Sequence, residues 1–166
     1  MGLLAGGVCT ATALWLVSGL TAPIPAAARH GVIIASALVF LARDAGWLRF
    51  PMPQNTRQVP QDVMQRHLIK GSLQFGFEMG TSVRTYVSAS APYVLGLALL
   101  LAGVDYWSAL SAGLGFGLGR AATPLSRLTS TDGVDWDARL IGRLPVITIG
   151  TCLVLAVAFT VLFLRI

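Results

Sequence analysis

The stretch from Gly71 to Gly103, GSLQFGFEMGTSVRTYVSASAPYVLGLALLLAG, is apolar along most of its length yet holds an acid, Glu78, and a base, Arg84. At about 1.5 Å per residue an unbroken helix of this length would reach about 50 Å, well beyond a hydrocarbon core of about 30 Å. The segment is therefore expected to bend, break or re-enter. Gly, Ser and Thr crowd its first half and Pro92 follows, which gives the backbone the means to do so. A break frees backbone N–H and C=O groups, and at bilayer depth these are tolerated only against protein or a water-filled cavity. Function is expected at this place.

The other apolar residues also fall in blocks of membrane-spanning length. Of the 166 residues 55% are hydrophobic and only 11% are charged, whereas soluble domains carry about 25% charged residues. The expected fold is all-α, a polytopic transmembrane helical bundle forming one integral membrane domain over 1–166, with the lipid bilayer as its first partner. The net charge of +5 rests on one Lys and on Arg residues spread among the connections instead of in a stripe. Membrane topology accounts for that spread, and no nucleic acid is expected. The N-terminal block lacks a basic leader and Ala26–Ala28 is a weak cleavage cue, so it reads as a retained helix.

In chain order, the first helix is expected at about 3–20, ended by the T-A-P-I-P run of Thr21 to Pro25. A short connection with Arg29 and His30 leads to a second helix at about 31–47, with Arg43 and Asp44 reaching the interface and Trp47 in the aromatic belt. A polar loop at 48–70 follows, rich in proline, with a short surface helix from Asp62 to Lys70; it reads equally as a docking cap or a solvated linker, and His67 as an interfacial histidine. After the broken segment at 71–103 come a helix at 106–119, a second polar loop at 120–143 and a last helix at 144–164. If 71–103 crosses once, the two polar loops share one side and hold Arg43, Arg49, Arg57, Arg66, Lys70, Arg120, Arg127, Arg139 and Arg143. That is a clear positive-inside bias, and two crossings would dissolve it. About five crossings are therefore expected in the cell membrane, with the N-terminus cytoplasmic and the C-terminus outside.

Ser72 to Gly80, S-L-Q-F-G-F-E-M-G, returns at Ser111 to Gly119 as S-A-G-L-G-F-G-L-G. Under the topology above the copies run in opposite directions, the arrangement of an inverted repeat with a site at its midplane interface; the plain alternative is a chance match between Gly-rich helices. Both copies carry G-x-x-x-G, at Gly76 and Gly80 and at Gly115 and Gly119, with an overlapping pair at Gly113 and Gly117. Close helix packing is the expected role of these glycines. Without a strand before them they are no nucleotide fingerprint.

Charges at membrane depth are costly and face protein or water, often in pairs. A break near Gly80 to Ser82 would let Glu78 and Arg84 turn together, with Thr81, Ser82, Thr85 and Tyr86 adding hydroxyls. Such a cluster is either a polar midplane site for a proton, an ion or a small anion, or a satisfied ion pair that fixes the break. A third option leaves Arg84 snorkelling to the interface. Cys9 and Cys152 lie deep in the first and last apolar blocks with no second cysteine nearby. They read as small hydrophobes, or as a redox pair if the outer helices touch. No Ser-His-Asp set, metal cluster or phosphate loop is legible, and neither a cofactor nor a metal is expected.

Phe75-Gly76-Phe77-Glu78-Met79-Gly80-Thr81-Ser82 and the later LGFGLGRAATPL of Leu114 to Leu125 resemble the transmembrane thiol-disulfide carriers of the CcdA and DsbD type, grouped with some small-solute exporters. The family pattern reads approximately F-G-x-G-W-x-P-C-x-G-P, followed by an apolar helix and a Gly-rich segment ending in Gly-x-x-Pro. Here Ser82 stands where the family has its reactive cysteine and Thr81 where it has proline, and Cys9 lies between Val8 and Thr10 without the family's Pro-Cys-Pro setting. A serine hydroxyl forms no disulfide. The resemblance thus implies an inverted-repeat scaffold without the exchange chemistry at that position.

Three functions follow as expectations. The first is a transporter-like or carrier-like module, with Glu78 as proton-linked acid, Arg84 as anion partner or counter-ion, and Ser82 and Thr85 as hydrogen-bonding groups. The second is a non-catalytic accessory or assembly subunit of a larger membrane complex; a homo-oligomer is the other expected association. The third is a CcdA-like redox protein relying on Cys9 and Cys152. An enzyme is the less favoured class.

Overall fold

The computed structural model describes residues 1–52, 68–81 and 89–164, and every regular element among them is helical. Helix α1 runs Gly2–Ser18 and tightens into a 3-10 turn at Gly19–Thr21; α2 spans Ala26–Asp44, α3 Leu68–Thr81, α4 Ala91–Leu101, α5 Tyr106–Leu128 and α6 Gly133–Leu164. Three stretches are long and apolar enough to cross a membrane, Gly2–Thr21, Ala26–Asp44 and Gly133–Leu164, which is compatible with a membrane location. The outer surface agrees with them. On α6 alone Leu153, Val154, Val157, Val161 and Leu162 are exposed, a continuous apolar face suited to lipid.

The segment 71–103 is not one rod. α3 is described over 14 residues, and α4, bounded by Ser90 and Ala102, has 11, about 17 Å of helix and short of a bilayer core of about 30 Å. Ala89 and Ser90 before α4 are not helical, and Pro92 sits in its first turn, where a missing N–H costs nothing.

Other boundaries differ from those read in the sequence. α2 begins directly after Pro25 and so takes in Arg29 and His30. It stops at Asp44, ahead of the expected Trp47, because Gly46 turns left-handed (φ 83°) and the N–H groups of Gly46 and Trp47 close onto the carbonyls of Arg43 and Ala42. The stretch 120–143 is mostly helix, not loop. α5 continues through Arg120 and Pro124 to Leu128, and α6 starts at Gly133. Ala, Leu and Arg are good helix formers whatever their polarity, and Asp135 supports the first turns of α6 by pairing with Arg139 at 2.9 Å. Of the 48–70 connection, residues 53–67 lie outside the described residues, His67 and most of the expected surface helix included; Leu68 to Lys70 open α3.

Contacts sort the single expected domain into two compact units. The first holds α1 as far as Trp15, α3 and α5; the second holds the chain from Leu16 through α2, α4 and nearly all of α6. Each chain-consecutive pair of helices sends one member to each unit.

In the first unit glycines bring backbones together. A Cβ added at Gly6 would strike Phe77 O and come within 2.8 Å of Gly80 Cα; one at Gly76 would lie 3.2 Å from Leu3 N. On α5 a Cβ at Gly113 would meet Ala11 Cβ and Gly7 O at 2.7 Å, and one at Gly117 would meet Leu3 O at 2.9 Å. The order of these contacts fixes direction. Gly2 lies against Leu73 to Phe77 and Gly6 against Phe77 to Gly80, so α3 runs parallel to α1; Gly7 lies against Gly113 and Leu3 against Gly117, so α5 runs antiparallel. Gly115 and Gly119, expected to pack as well, meet nothing within 4 Å among the described residues. Two residues from each contact glycine, they sit on another face of the helix.

The second unit has a small side-chain core of Ala37, Val94, Cys152 and Ala156, flanked by Phe40, Leu41, Leu155 and Phe159. The Thr21 hydroxyl donates to Leu100 O at 2.9 Å, and His30 stacks on Phe163 at 4.0 Å. Here α4 and α6 both run antiparallel to α2.

Two outcomes follow from this packing. Gly113→Ala is expected to destabilise the protein by about 1–3 kcal/mol through overpacking, whereas Gly115→Ala stabilises α5 by up to about 1 kcal/mol; thermal unfolding in detergent compares them. Asp105 caps α5, and the Ser108 hydroxyl followed by the Ser108 N–H hold its carboxyl below the ordinary value of 3.8. Its contribution is therefore complete above that value and lost as pH falls through the lower folded-state value. Asp105→Asn should remove this part of the acid response in melting temperature measured across the acid range.

Candidate functional site

Glu78 stands one turn before the end of α3, half-buried, with Gln74 Nε2 donating to its Oε1 at 3.2 Å. The Thr81 hydroxyl donates to Glu78 O at 3.0 Å and closes the last turn. Both lie in the stretch that Gly76 and Gly80 press against α1, so an ionisable group and its polar neighbours are held on a helix docked backbone to backbone. Ser82, Arg84, Thr85 and Tyr86, the expected remainder of this site, lie outside the described residues.

The structure adds a second polar constellation where α2 ends and α4 begins. Asp44, at the end of α2, has a side chain that is only 3% exposed. Its Oδ2 accepts the Ser90 N–H at 3.0 Å, and its Oδ1 accepts the Ser90 hydroxyl at 2.6 Å. Ser90 is fully buried. Arg43 completes the cluster, with Nη1 3.2 Å from Asp44 Oδ1 and 3.1 Å from Ser90 Oγ, Nε donating to Phe50 O at 3.3 Å, and the guanidinium 5.5 Å from the Phe50 ring centre. A carboxylate from one helix thus takes an N–H that the start of another leaves unpaired, and an adjacent cation offsets the buried charge.

Beside this cluster lies an open cavity of about 550 Å³, lined by Arg43, Asp44, Arg49, Phe50 and Thr148 among others. The sequence reading missed the cluster because Ser90 lies 46 residues from Asp44 in the chain, although most of the cavity's lining falls within 43–51. One local signal was present: Ser90-Ala91-Pro92 is a helix-start pattern that asks for an acceptor near its first N–H groups.

Both cysteines are free thiols. Cys9 is exposed on α1, and Cys152 has no exposed surface in the core of the second unit. No group of His, Cys, Asp and Glu among the described residues is arranged to hold a metal ion. No family model, curated protein or solved structure matches the chain.

The Asp44 cluster should behave as a coupled unit. Asp44→Ala is expected to cost about 3–5 kcal/mol, since it strands Arg43, and Ser90→Ala about 1–3 kcal/mol. The double variant should fall short of the sum by about 0.5–3 kcal/mol; a double-mutant cycle on unfolding midpoints measures the coupling.

Proposed function

We propose that this chain is a small integral membrane protein that crosses the bilayer about five times and acts as a carrier-like module for a small solute or ion, with its site where α3 ends. The observation that carries the reading is the position of Glu78. An ionisable group is half-buried in the last described turn of α3, inside an apolar segment, with Gln74 and Thr81 on the same helix. Charges kept in such surroundings mark substrate or proton paths in membrane proteins.

Helix direction supports the topology. α3 starts on the side where α1 starts and α5 starts on the side where α1 ends, as one net crossing by the segment between those starts would require. The positive-inside bias then puts the N-terminus in the cytoplasm and the C-terminus outside. The two copies of the S-x-x-(F/L)-G-F-x-(M/L)-G frame lie on α3 and α5 and run in opposite senses against α1, which favours an inverted repeat over a chance match. In this reading the likeness to the CcdA and DsbD type is one of scaffold, with Ser82 binding where the family has its reactive cysteine and Thr85 as a further hydrogen-bonding group.

A subunit role is the second reading. It is favoured by Gly115 and Gly119, which leave an open small-residue track on α5 among exposed Leu114 and Leu118. Purification in mild detergent separates the two, since a stoichiometric partner identifies a subunit and a lone or self-associated species identifies a carrier.

Glu78→Gln and Arg84→Ala are each expected to abolish proton-linked flux in proteoliposomes holding a trapped pH-sensitive dye, with chloride, sulfate or acetate outside. If both variants match the parent at every pH, the assignment to Glu78 and Arg84 is wrong.

A further inference from the structure

The Asp44 cluster uses up its acid and leaves its bases in hand. Asp44 accepts from the Ser90 N–H, the Ser90 hydroxyl and Arg43, so both carboxylate oxygens are engaged within the protein. Arg43 spends Nε and Nη1 on Phe50, Asp44 and Ser90, while Nη2 makes no hydrogen bond among the described residues. Arg49 is exposed on the same cavity and has neither a hydrogen bond nor an ion pair among the described residues. Two guanidinium groups against one satisfied carboxylate leave the cavity with an excess positive charge.

We propose that this cavity binds a phosphate-bearing anion, with Arg49 and the remaining donor of Arg43 as its ligands. Guanidinium forks match phosphate oxygens in pairs, and Arg43 is pre-oriented because its other nitrogens are already fixed. At about 550 Å³ the space exceeds a bare phosphate and suits a phosphate carrying a glycerol-sized group. Phe50, Leu48 and Pro51 supply an apolar wall for that group. The cavity opens at the end of Ala26–Asp44, a candidate membrane span, beside Trp47, which is 84% exposed. Lipid phosphates lie at this level of a bilayer, and basic pockets between spans bind such headgroups. The same chemistry would also take a soluble phosphate ester. The site shares no residue with the Glu78 reading and does not depend on it.

The test uses the full-length protein and the exposed Arg49, whose replacement leaves the Asp44 hydrogen bonds intact. Thermal shifts are read with inorganic phosphate and glycerol 3-phosphate against sodium chloride at equal ionic strength. A second arm measures lipid retention by native mass spectrometry from nanodiscs of phosphatidylcholine with or without phosphatidylglycerol. Arg49→Ala should weaken binding about tenfold and Arg49→Lys should restore part of it, whereas Arg139→Ala, an equal change of charge elsewhere, should leave it intact. Retention of phosphatidylglycerol alone identifies a lipid headgroup as the source, and stabilisation by the soluble phosphates identifies a free ester. The proposal is overturned if no phosphate compound binds in either arm, or if Arg49→Ala does no more than Arg139→Ala.

Discussion

The structure depends on how an apolar chain finds partners for the backbone groups it frees when a helix stops. α4 starts in a buried position, and its first N–H groups have no carbonyl behind them. The end of α2 serves the first of them, the N–H of the fully buried Ser90. Asp44 reaches Ser90 from 46 residues away in the chain, with one carboxylate oxygen on the amide and the other on the hydroxyl. Burying that carboxylate alone would be costly, and Arg43, its neighbour in sequence, carries the compensating charge. The polar groups that end one helix are the ones that allow the next to begin.

Each unit, taken by itself, solves the same packing problem with small residues. Lipid tails are as apolar as leucine, so helices in a bilayer gain little by hiding large side chains from them. Close backbone approach is what remains. The first unit achieves it with Gly2, Gly6, Gly7, Gly76, Gly80, Gly113 and Gly117, the second with Ala37, Cys152 and Ala156. Large side chains are turned outward, as Leu16, Val154 and Leu162 are. Cys152 fits this pattern as a compact core residue whose thiol has no exposed surface.

Much of the helical layout was legible because apolar blocks of spanning length leave few alternatives, and Thr21 to Pro25 marks the first connection without ambiguity. The helical part of 120–143 was not legible, since charge was read as loop although Asp135, Arg139 and Arg143 sit on exposed helix faces and the half-buried Arg120 lies over the Phe116 ring. G-x-x-x-G showed that glycine packing was present but not which of two overlapping registers did it; only the facing helix tells Gly113 and Gly117 from Gly115 and Gly119. At the candidate site Glu78 announced itself as a charge inside an apolar run. Asp44 did not, because at the end of such a run an acid looks solvated, and its burial follows from a tertiary contact that no local pattern encodes.

The alternation of helices between the two units bears on how the molecule is made. Neither unit is a continuous piece of chain: the first needs α5 and the second needs α6 before its three helices are present. A ribosome delivering the polypeptide from its N-terminus therefore releases α1 and α2 long before their later partners exist, and their glycine and alanine faces stay uncovered until then. Assembly is bound to be a late, largely concerted event, and a chain truncated before α6 would leave the acid at the end of α2 and the core around Ala37 without the third wall that encloses them.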